Sequence, residues 1–219
     1  MAAAAGLSVP ATLISNDPYE IKRFIGSVKS CIYKPLNGGV WSENGRVLNA
    51  YTAEVNAEFL PSHEMLQSTP GIFQERIAKS FEVRAQFFGN FYGAIRIESL
   101  NLKDGDLDWR IDQNSISSCA PQELPKSVFE SCRSLMKSLG IVSGGFDFIV
   151  DTEGRWFFME VNEAGQFLFI EAWCQELPIL DAFCQFVETA SEDFVYDPSL
   201  RGFNYIEAHE MAVEAGVVS

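Results

Sequence analysis

Apolar residues along this chain follow two rhythms. Ile21, Phe24, Ile25 and Val28 recur at helical spacing after Asn16-Asp17-Pro18. Those three residues supply a capping side chain and a first-turn proline, so a helix starts there. Val128, Cys132, Leu135, Met136 and Leu139 form a second stripe, closed by Gly140, and predict a helix over 125–139. Ile179, Leu180, Phe183 and Val187 predict another over 178–190, and 205–213 reads as a short helix in the tail. Elsewhere the apolar runs are short and bounded by turn residues, as strands are. Residues 30–33 are one, ending in Lys34-Pro35 before Asn37-Gly38-Gly39. Val40-Trp41 and Val47-Leu48 flank Asn44-Gly45, a hairpin signal. Residues 72–77 read as a strand or extended linker, and 81–88 and 91–97 as two strands joined at Gly89-Asn90.

The last strand pair is the most informative. Residues 144–150 and 156–162 flank Asp151-Thr152-Glu153-Gly154-Arg155. A tight turn centred on Glu153-Gly154 sets Thr152 opposite Arg155, and therefore Asp147 opposite Glu160. Side chains alternate along a strand, so Glu160 and Asn162 share a face with Asp147. Two carboxylates this close among apolar neighbours need a cation. An Asp, Glu and Asn trio of oxygen donors suits Mg²⁺, which takes a few carboxylates plus substrate phosphates. The competing expectation is a hairpin whose polar side chains simply face water.

Composition narrows the classes. The chain has 219 residues, 47% of them hydrophobic, with 18 Phe. That is enough for one large domain or two small lobes around an aromatic-rich core or cleft. Its 16 Lys and Arg against 30 Asp and Glu give a net charge of −14. This disfavours non-specific binding to nucleic acid or anionic membrane. The five Cys are odd in number and lack CxxC spacing, so neither a disulfide framework nor a zinc site is expected; Cys132 and Cys184 read as small core hydrophobes. The first residues lack the basic start and apolar run of a signal peptide, and no apolar stretch reaches bilayer length. A cytoplasmic location follows. His63 and His209 have no partner at ligand spacing and read as surface residues, which makes a Ser-His-Asp enzyme improbable. Cys174 has no evident activating base.

Lys34 closes an apolar strand before a glycine pair, where an ammonium can meet phosphate oxygens while backbone closes over them. The Walker pattern GxxxxGK[ST] is absent. Arg84 and Arg96 lie in the central strand pair, and Arg110 follows Asp108-Trp109. Such arginines bind carboxylate or phosphate, or make ordinary surface ion pairs. Glu82 shares a strand face with Arg84, and either pairs with it or meets a ribose.

The order of these pieces resembles the ATP-grasp family. The residues that carry it are Ile32-Tyr33-Lys34-Pro35, Phe73-Gln74-Glu75-Arg76-Ile77, Phe81-Glu82-Val83-Arg84, Asp108-Trp109-Arg110, and the pair 145–150 and 158–162. Within that family the chain resembles the microviridin-type (graspetide) peptide ligases. That likeness rests on Leu13-Ile14-Ser15-Asn16-Asp17-Pro18, on Asp108-Trp109-Arg110, and on Asn162-Glu163-Ala164-Gly165-Gln166-Phe167 with Phe169-Ile170-Glu171. It covers residues 7–190. Glu163 stands where those ligases often have Pro. The family also has a further domain and a helix with another phosphate-binding lysine before this region, whereas here only Met1 to Gly6 precede Leu7. Substrate recognition by that domain is therefore not expected of this stretch.

The resemblance implies an α+β ATP-grasp fold, two α+β lobes clasping ATP. The small lobe would be 1–72, the large lobe with the metal-binding hairpin 73–190, and the tail 191–219. It also implies roles. Lys34 would hold the ATP phosphates. Gln74, Glu75, Arg76 and Ile77 would form the hinge and meet adenine mainly through backbone groups. Glu82 would bind ribose, Arg110 and Arg84 would be the catalytic cations, and Asp147, Glu160 and Asn162 would bind Mg²⁺. The implied activity is an ATP- and Mg²⁺-dependent carboxylate ligase acting through an acyl phosphate. Its substrate would be acidic side chains of a ribosomally synthesised precursor peptide, joined by ester or amide links. The alternatives are a ligase adding amino acids to a protein or peptide carboxylate, and a nucleotide-binding partner protein without activity of its own. The implied partner is an acidic peptide or protein, with no nucleic acid or membrane, and a homodimer is compatible with it.

Overall fold

The structure, a computed structural model, describes residues 1–36, 40–43, 46–49, 52–101, 107, 116 and 119–217; for 40–43 and 46–49 only the backbone is described. The architecture is α+β, as the sequence implies, and the chain divides into two compact units. One comprises Pro10–Ala78 and Ser99–Gln113, the other Met1–Val9, Lys79–Glu98 and Asn114–Ser219.

In the first unit β1 (Thr12–Ser15) leads into α1 (Pro18–Ser27). Asp17 caps that helix, its carboxylate accepting from the N–H groups of Tyr19 and Glu20. Then come β2 (Cys31–Pro35), the strand pair β3 (Val40–Glu43) and β4 (Arg46–Asn49), β5 (Ala53–Val55), α2 (His63–Gln67) and β6 (Gly71–Glu75). A four-stranded sheet has the order β1-β6-β2-β5. One of its faces carries Cys31, Tyr33 and Phe73, which pack with the α1 stripe of Ile21, Phe24, Ile25 and Val28. Gly71 opens β6, the strand that lies between β1 and β2, so residues 71–75 belong to this unit. Tyr33 explains the glycine: a Cβ on Gly71 would run into its ring. The Asn37-Gly38-Gly39 loop and the Asn44-Gly45 turn lie outside the described residues.

In the second unit β7 (Lys79–Phe88), β8 (Phe91–Ile97), β9 (Ala120–Pro121), β10 (Ser143–Asp151) and β11 (Trp156–Asn162) form a sheet of order β11-β10-β7-β8-β9. The helix α3 (Lys126–Leu139) packs its apolar stripe on one face, against Val83, Ala85, Phe87, Phe146, Phe148 and Val150. A fully buried Phe is worth about 1.5–3 kcal/mol, against about 0–1 for an exposed ion pair. Apolar packing rather than surface pairs such as Lys126–Glu130 therefore seats this helix. Cys132 is fully buried in the same core, whereas Cys184 is only half-buried.

Three helices follow: α4 (Phe169–Trp173), α5 (Ile179–Thr189) and α6 (Tyr205–Glu214). Glu171, 1% exposed, accepts from Leu180 N–H at 2.7 Å and from Tyr205 N–H at 2.9 Å. One buried carboxylate thus satisfies orphan donors at the start of both α5 and α6, where the helix dipoles favour negative charge. Residues 191–217 fall within this same compact unit.

The β10–β11 connection differs from the expected two-residue turn. Asp151 N–H donates to Arg155 C=O and Gly154 N–H to Asp151 C=O, both at 3.0 Å. Thr152, Glu153 and Gly154 therefore form a three-residue loop, with Gly154 at φ +78°. Asp151 rather than Thr152 stands across from Arg155. Val150, Ile149 and Phe148 pair with Trp156, Phe157 and Phe158; then Met159 bulges, and Asp147 pairs with Glu160. The longer loop and the bulge each shift the register by one residue, in opposite senses. The expected facing of Asp147 and Glu160 therefore stands, although the turn used to derive it was wrong.

Asp151 holds this loop. Its carboxylate accepts from the N–H groups of Glu153 and Arg155, both at 2.9 Å, and from the Arg155 guanidinium at 2.7 Å. Burial alone would raise its pKa, but the hydrogen bonds from Arg155 and Glu153 outweigh burial and leave it below the ordinary 3.8. A carboxyl depressed on folding stabilises above its unfolded value, and that contribution is lost as pH falls through the folded value. Asp151→Asn should therefore lower the Tm at neutral pH, and the gap from wild type should close as the pH falls below about 3.8. Thermal melts across pH check this; a gap that stays constant into acid would contradict it.

Candidate functional site

The face of the second sheet opposite α3 carries the polar residues. Strand pairing aligns them in rows. Arg84 of β7 stands across from Asp147 of β10, which stands across from Glu160 of β11. In the next row Gln86, Gly145 and Asn162 line up in the same way. The sequence-derived trio of Asp147, Glu160 and Asn162 is thus brought onto one face. Directly opposite Cβ atoms in such a ladder lie about 4.5–5.5 Å apart.

Arg84, only 6% exposed, lies in the middle of this face. Its Nη1 donates to Asp147 Oδ2 at 2.7 Å and its Nη2 to Gln166 C=O at 3.3 Å. The guanidinium lies where two glycines leave room. A Cβ on Gly145 would come within 2.6 Å of Arg84 Cζ, and one on Gly165 within 2.9 Å of Arg84 Nη2. The Gly145 of the Gly-Phe-Asp strand and the Gly165-Gln166 run thus serve one purpose, which is to enclose Arg84. The cation that pairs with Asp147 is supplied by the protein itself. Asn162, Glu160 and Gln166 are exposed, and Asn162 Oδ1 accepts from Ala164 N–H at 3.2 Å, which turns the chain after β11.

Glu82 does not pair with Arg84. It meets Lys79, Nζ to Oε1 at 2.7 Å, and the Lys79 side chain is 4% exposed. Residues three apart on a regular strand point to opposite faces. Here the ladder steps from Phe81–Val150 to Lys79–Asp151, so Ser80 is an extra residue and Lys79 comes round to the face of Glu82.

The first unit has its own polar row, on the sheet face away from α1. Gln74 of β6 pairs across to Thr12 of β1 and to Ile32 of β2, and Lys34 is two residues along β2. Lys34 Nζ donates to Gln74 Oε1 at 3.1 Å, and Gln74 Nε2 to Thr12 Oγ1 at 3.0 Å. Gln74 is buried at 7% exposure and Lys34 is half-buried. The expected hinge residues are partly engaged. Glu75 N–H donates to Ala11 C=O and Arg76 N–H to Ser30 C=O, both at 2.9 Å, and Arg76 pairs with Glu54 at 3.2 Å. Two of the backbone donors of 74–77 are therefore already taken within the sheet. Arg110, with Asp108 and Trp109, lies outside the described residues.

Other chemistries are disfavoured. Burial raises all five cysteine pKa values, Cys132 to about 12 and Cys119 to about 11, so neither of these two is a thiolate near neutral pH. His63 and His209 are exposed and lie against Tyr19 and Tyr205. Among the described residues no group of three or more His, Cys, Asp or Glu could hold a metal ion. The hairpin offers two carboxylates and an amide, which suits Mg²⁺ that completes its shell with water or phosphate oxygens. It does not suit a cation needing an all-protein cage. Sequence reasoning missed Lys79, hidden by the bulge, and Gln86, the next same-face residue after Arg84. It had noted the Gly165-Gln166 run without its contact to Arg84.

No family model and no curated protein matches the chain. Solved structures do. One is a RiPP-associated ATP-grasp ligase of Chryseobacterium gregarium in complex with ADP and a leader and core peptide; it is 29% identical with a TM-score of 0.73, over 88% of this chain and 55% of that one. Another is the macrocyclase MdnC of Microcystis aeruginosa bound with its precursor peptide MdnA, 28% identical with a TM-score of 0.75, over 87% of this chain and 58% of that one. A third is the ATP-grasp ligase PsnB with a minimal precursor variant, Mg and ADP, 25% identical with a TM-score of 0.67, over 86% and 56%. The chain spans little more than half the length of these structures. No helix among the described residues is long and apolar enough to cross a membrane. The chain has the ATP-grasp fold and is similar, in structure and at 25–29% sequence identity, to ATP-grasp ligases solved with precursor peptides.

Proposed function

We propose that this chain binds MgATP and works as a carboxylate ligase on a peptide. Asp147 facing Glu160, with Asn162 alongside and Arg84 fixing Asp147, is the observation that carries the reading. The nucleotides, Mg and precursor peptides held by its structural neighbours support it. ATP would supply the phosphoryl group and Mg²⁺ the neutralisation of its phosphate charge. Asp147, Glu160 and Asn162 would hold the metal, Lys34 the phosphates, and Glu82 the ribose, with Lys79 keeping Glu82 in place. Gln74, Glu75, Arg76 and Ile77 would line the base, with Gln74 orienting Lys34. Phosphoryl transfer asks the protein for placement and charge rather than covalent help. A side-chain carboxylate of the peptide would take the phosphoryl group, releasing ADP. A hydroxyl or amine would then attack the acyl carbon, releasing phosphate and leaving an ester or amide. Arg110 would stabilise the charge that develops in these steps. Arg84, held by Asp147, orients a metal ligand rather than acting as a free catalytic cation. An acidic peptide substrate, a cytoplasmic setting and a homodimer belong to the same proposal.

ADP and phosphate release that depends on an acidic peptide tests the ligase reading. MgATP binding without turnover on any acceptor would favour a nucleotide-binding partner protein instead.

Asp147→Ala and Glu160→Ala should each weaken nucleotide binding in Mg²⁺ while leaving binding in chelator little changed. Calorimetric titration in both buffers checks this, and unchanged MgATP affinity in both variants would remove the metal assignment.

Lys34→Ala should cost more ATP affinity than Lys29→Ala, because Lys34 is half-buried on the polar row and Lys29 is exposed after α1. A charge-assisted phosphate contact is worth about 1.5–3 kcal/mol, or about 10–100-fold. Equal losses would contradict a phosphate role.

Arg110→Ala should lower turnover about a hundredfold with little change in ATP affinity, as loss of a donor aimed at the transition state does. Steady-state kinetics with an acidic peptide distinguish this from a binding role, in which apparent ATP affinity falls and turnover holds.

A further inference from the structure

On the face of β7 that carries Arg84, the next residue is Gln86, which is 2% exposed. Its Nε2 donates to Phe87 C=O and to Ser143 Oγ, each at 3.2 Å. With the amide reversed, Gln86 Oε1 would lie against Phe87 C=O, oxygen against oxygen. That leaves Gln86 Oε1 as a buried acceptor without a partner, and Arg84 Nε is a buried donor without a partner. The two groups are complementary, belong to residues two apart on one strand face, and are both sealed from solvent. Buried polar groups left over by the protein are commonly satisfied by an internal water.

We propose that Gln86 is a positioning residue for Arg84, acting through one buried water held between Gln86 Oε1 and Arg84 Nε–H. Such a water accepts from the guanidinium and donates to the amide. Arg84 is otherwise fixed at its two terminal nitrogens, by Asp147 and by the Gln166 carbonyl. Those two contacts hold the terminal nitrogens and do not by themselves engage Nε. A third contact at Nε engages that donor and holds the Asp147 carboxylate in one orientation. A continuous network then runs from Ser143 through Gln86, the water and Arg84 to Asp147. Its consequence for catalysis rests on the reading of Asp147 as a Mg²⁺ ligand, but the network itself does not.

The test needs neither nucleotide nor turnover, so its failure is separate from failure of the ligase reading. The Arg84 Nε–H resonance is identified by its loss in Arg84→Lys. In the wild-type protein it should exchange slowly and show a cross-relaxation peak to a long-lived bound water. In Gln86→Met, which keeps the length and removes the acceptor, its solvent exchange should rise at least about tenfold. The absence of a bound-water peak in wild type overturns the proposal, and this stands even if the Met variant fails to fold. Equal exchange in wild type and Gln86→Met overturns it too.

Discussion

Only 6% of Arg84 is exposed, and a guanidinium that deep stays in place only if its charge and its donors are met. Asp147 meets the charge across the β7–β10 ladder at 2.7 Å. Gly145 and Gly165 give the plane of the group room to lie, and the Gln166 carbonyl takes a second donor. Several stretches of sequence that look unrelated therefore answer to one buried cation. They are the Glu-Val-Arg strand, the Gly-Gly-Phe-Asp strand, and the turn that follows Glu160 and Asn162.

The consequence for chemistry lies in the orientation of Asp147. Glu160 and Asn162 are exposed, whereas Asp147 is half-buried and gripped from below. The cation site proposed for them, with one fixed carboxylate and two reachable oxygen donors, would be open on one side, as a Mg²⁺ site that shares its ion with phosphates has to be. In the other unit, Lys34, Gln74 and Thr12 form an analogous row, in which a buried amide steadies a half-buried ammonium. In both units one sheet face is given over to an apolar core and the other to polar groups held by neighbouring strands. That division of faces is what the proposed nucleotide chemistry uses.

Much of this was legible in the sequence, for identifiable reasons. The stripes of α1, α3 and α5 have a period that local sequence states directly, and Asp17 and Gly140 mark helix ends by their own chemistry. The facing of Asp147 and Glu160 was legible because the two strands are adjacent in the chain. The turn was not, since neither a three-residue loop nor a bulge at Met159 leaves a mark in residue alternation. The same blindness hid Lys79, whose side is decided by the extra residue Ser80. β1, four residues long at the end of its sheet, has too little alternation to stand out, and β6 read as a strand or extended linker because Pro70 precedes it and Gly71 opens it. The Arg84–Asp147 pair could not be foreseen by spacing, because β7 meets β10 across 63 residues of chain.

The proposed Mg²⁺ site lies between Asp147, Glu160 and Asn162, on the face that Arg84 organises. Paramagnetic Mn²⁺ supplied with ADP reports directly on where the ion goes. The account predicts that the backbone resonances of 145–147 and 160–162 and the side chain of Arg84 broaden first, only when nucleotide is present, and that Asp147→Ala abolishes the effect. Broadening centred instead on the acidic surface around Glu207, Glu210 and Glu214, or broadening that does not depend on nucleotide, would contradict it.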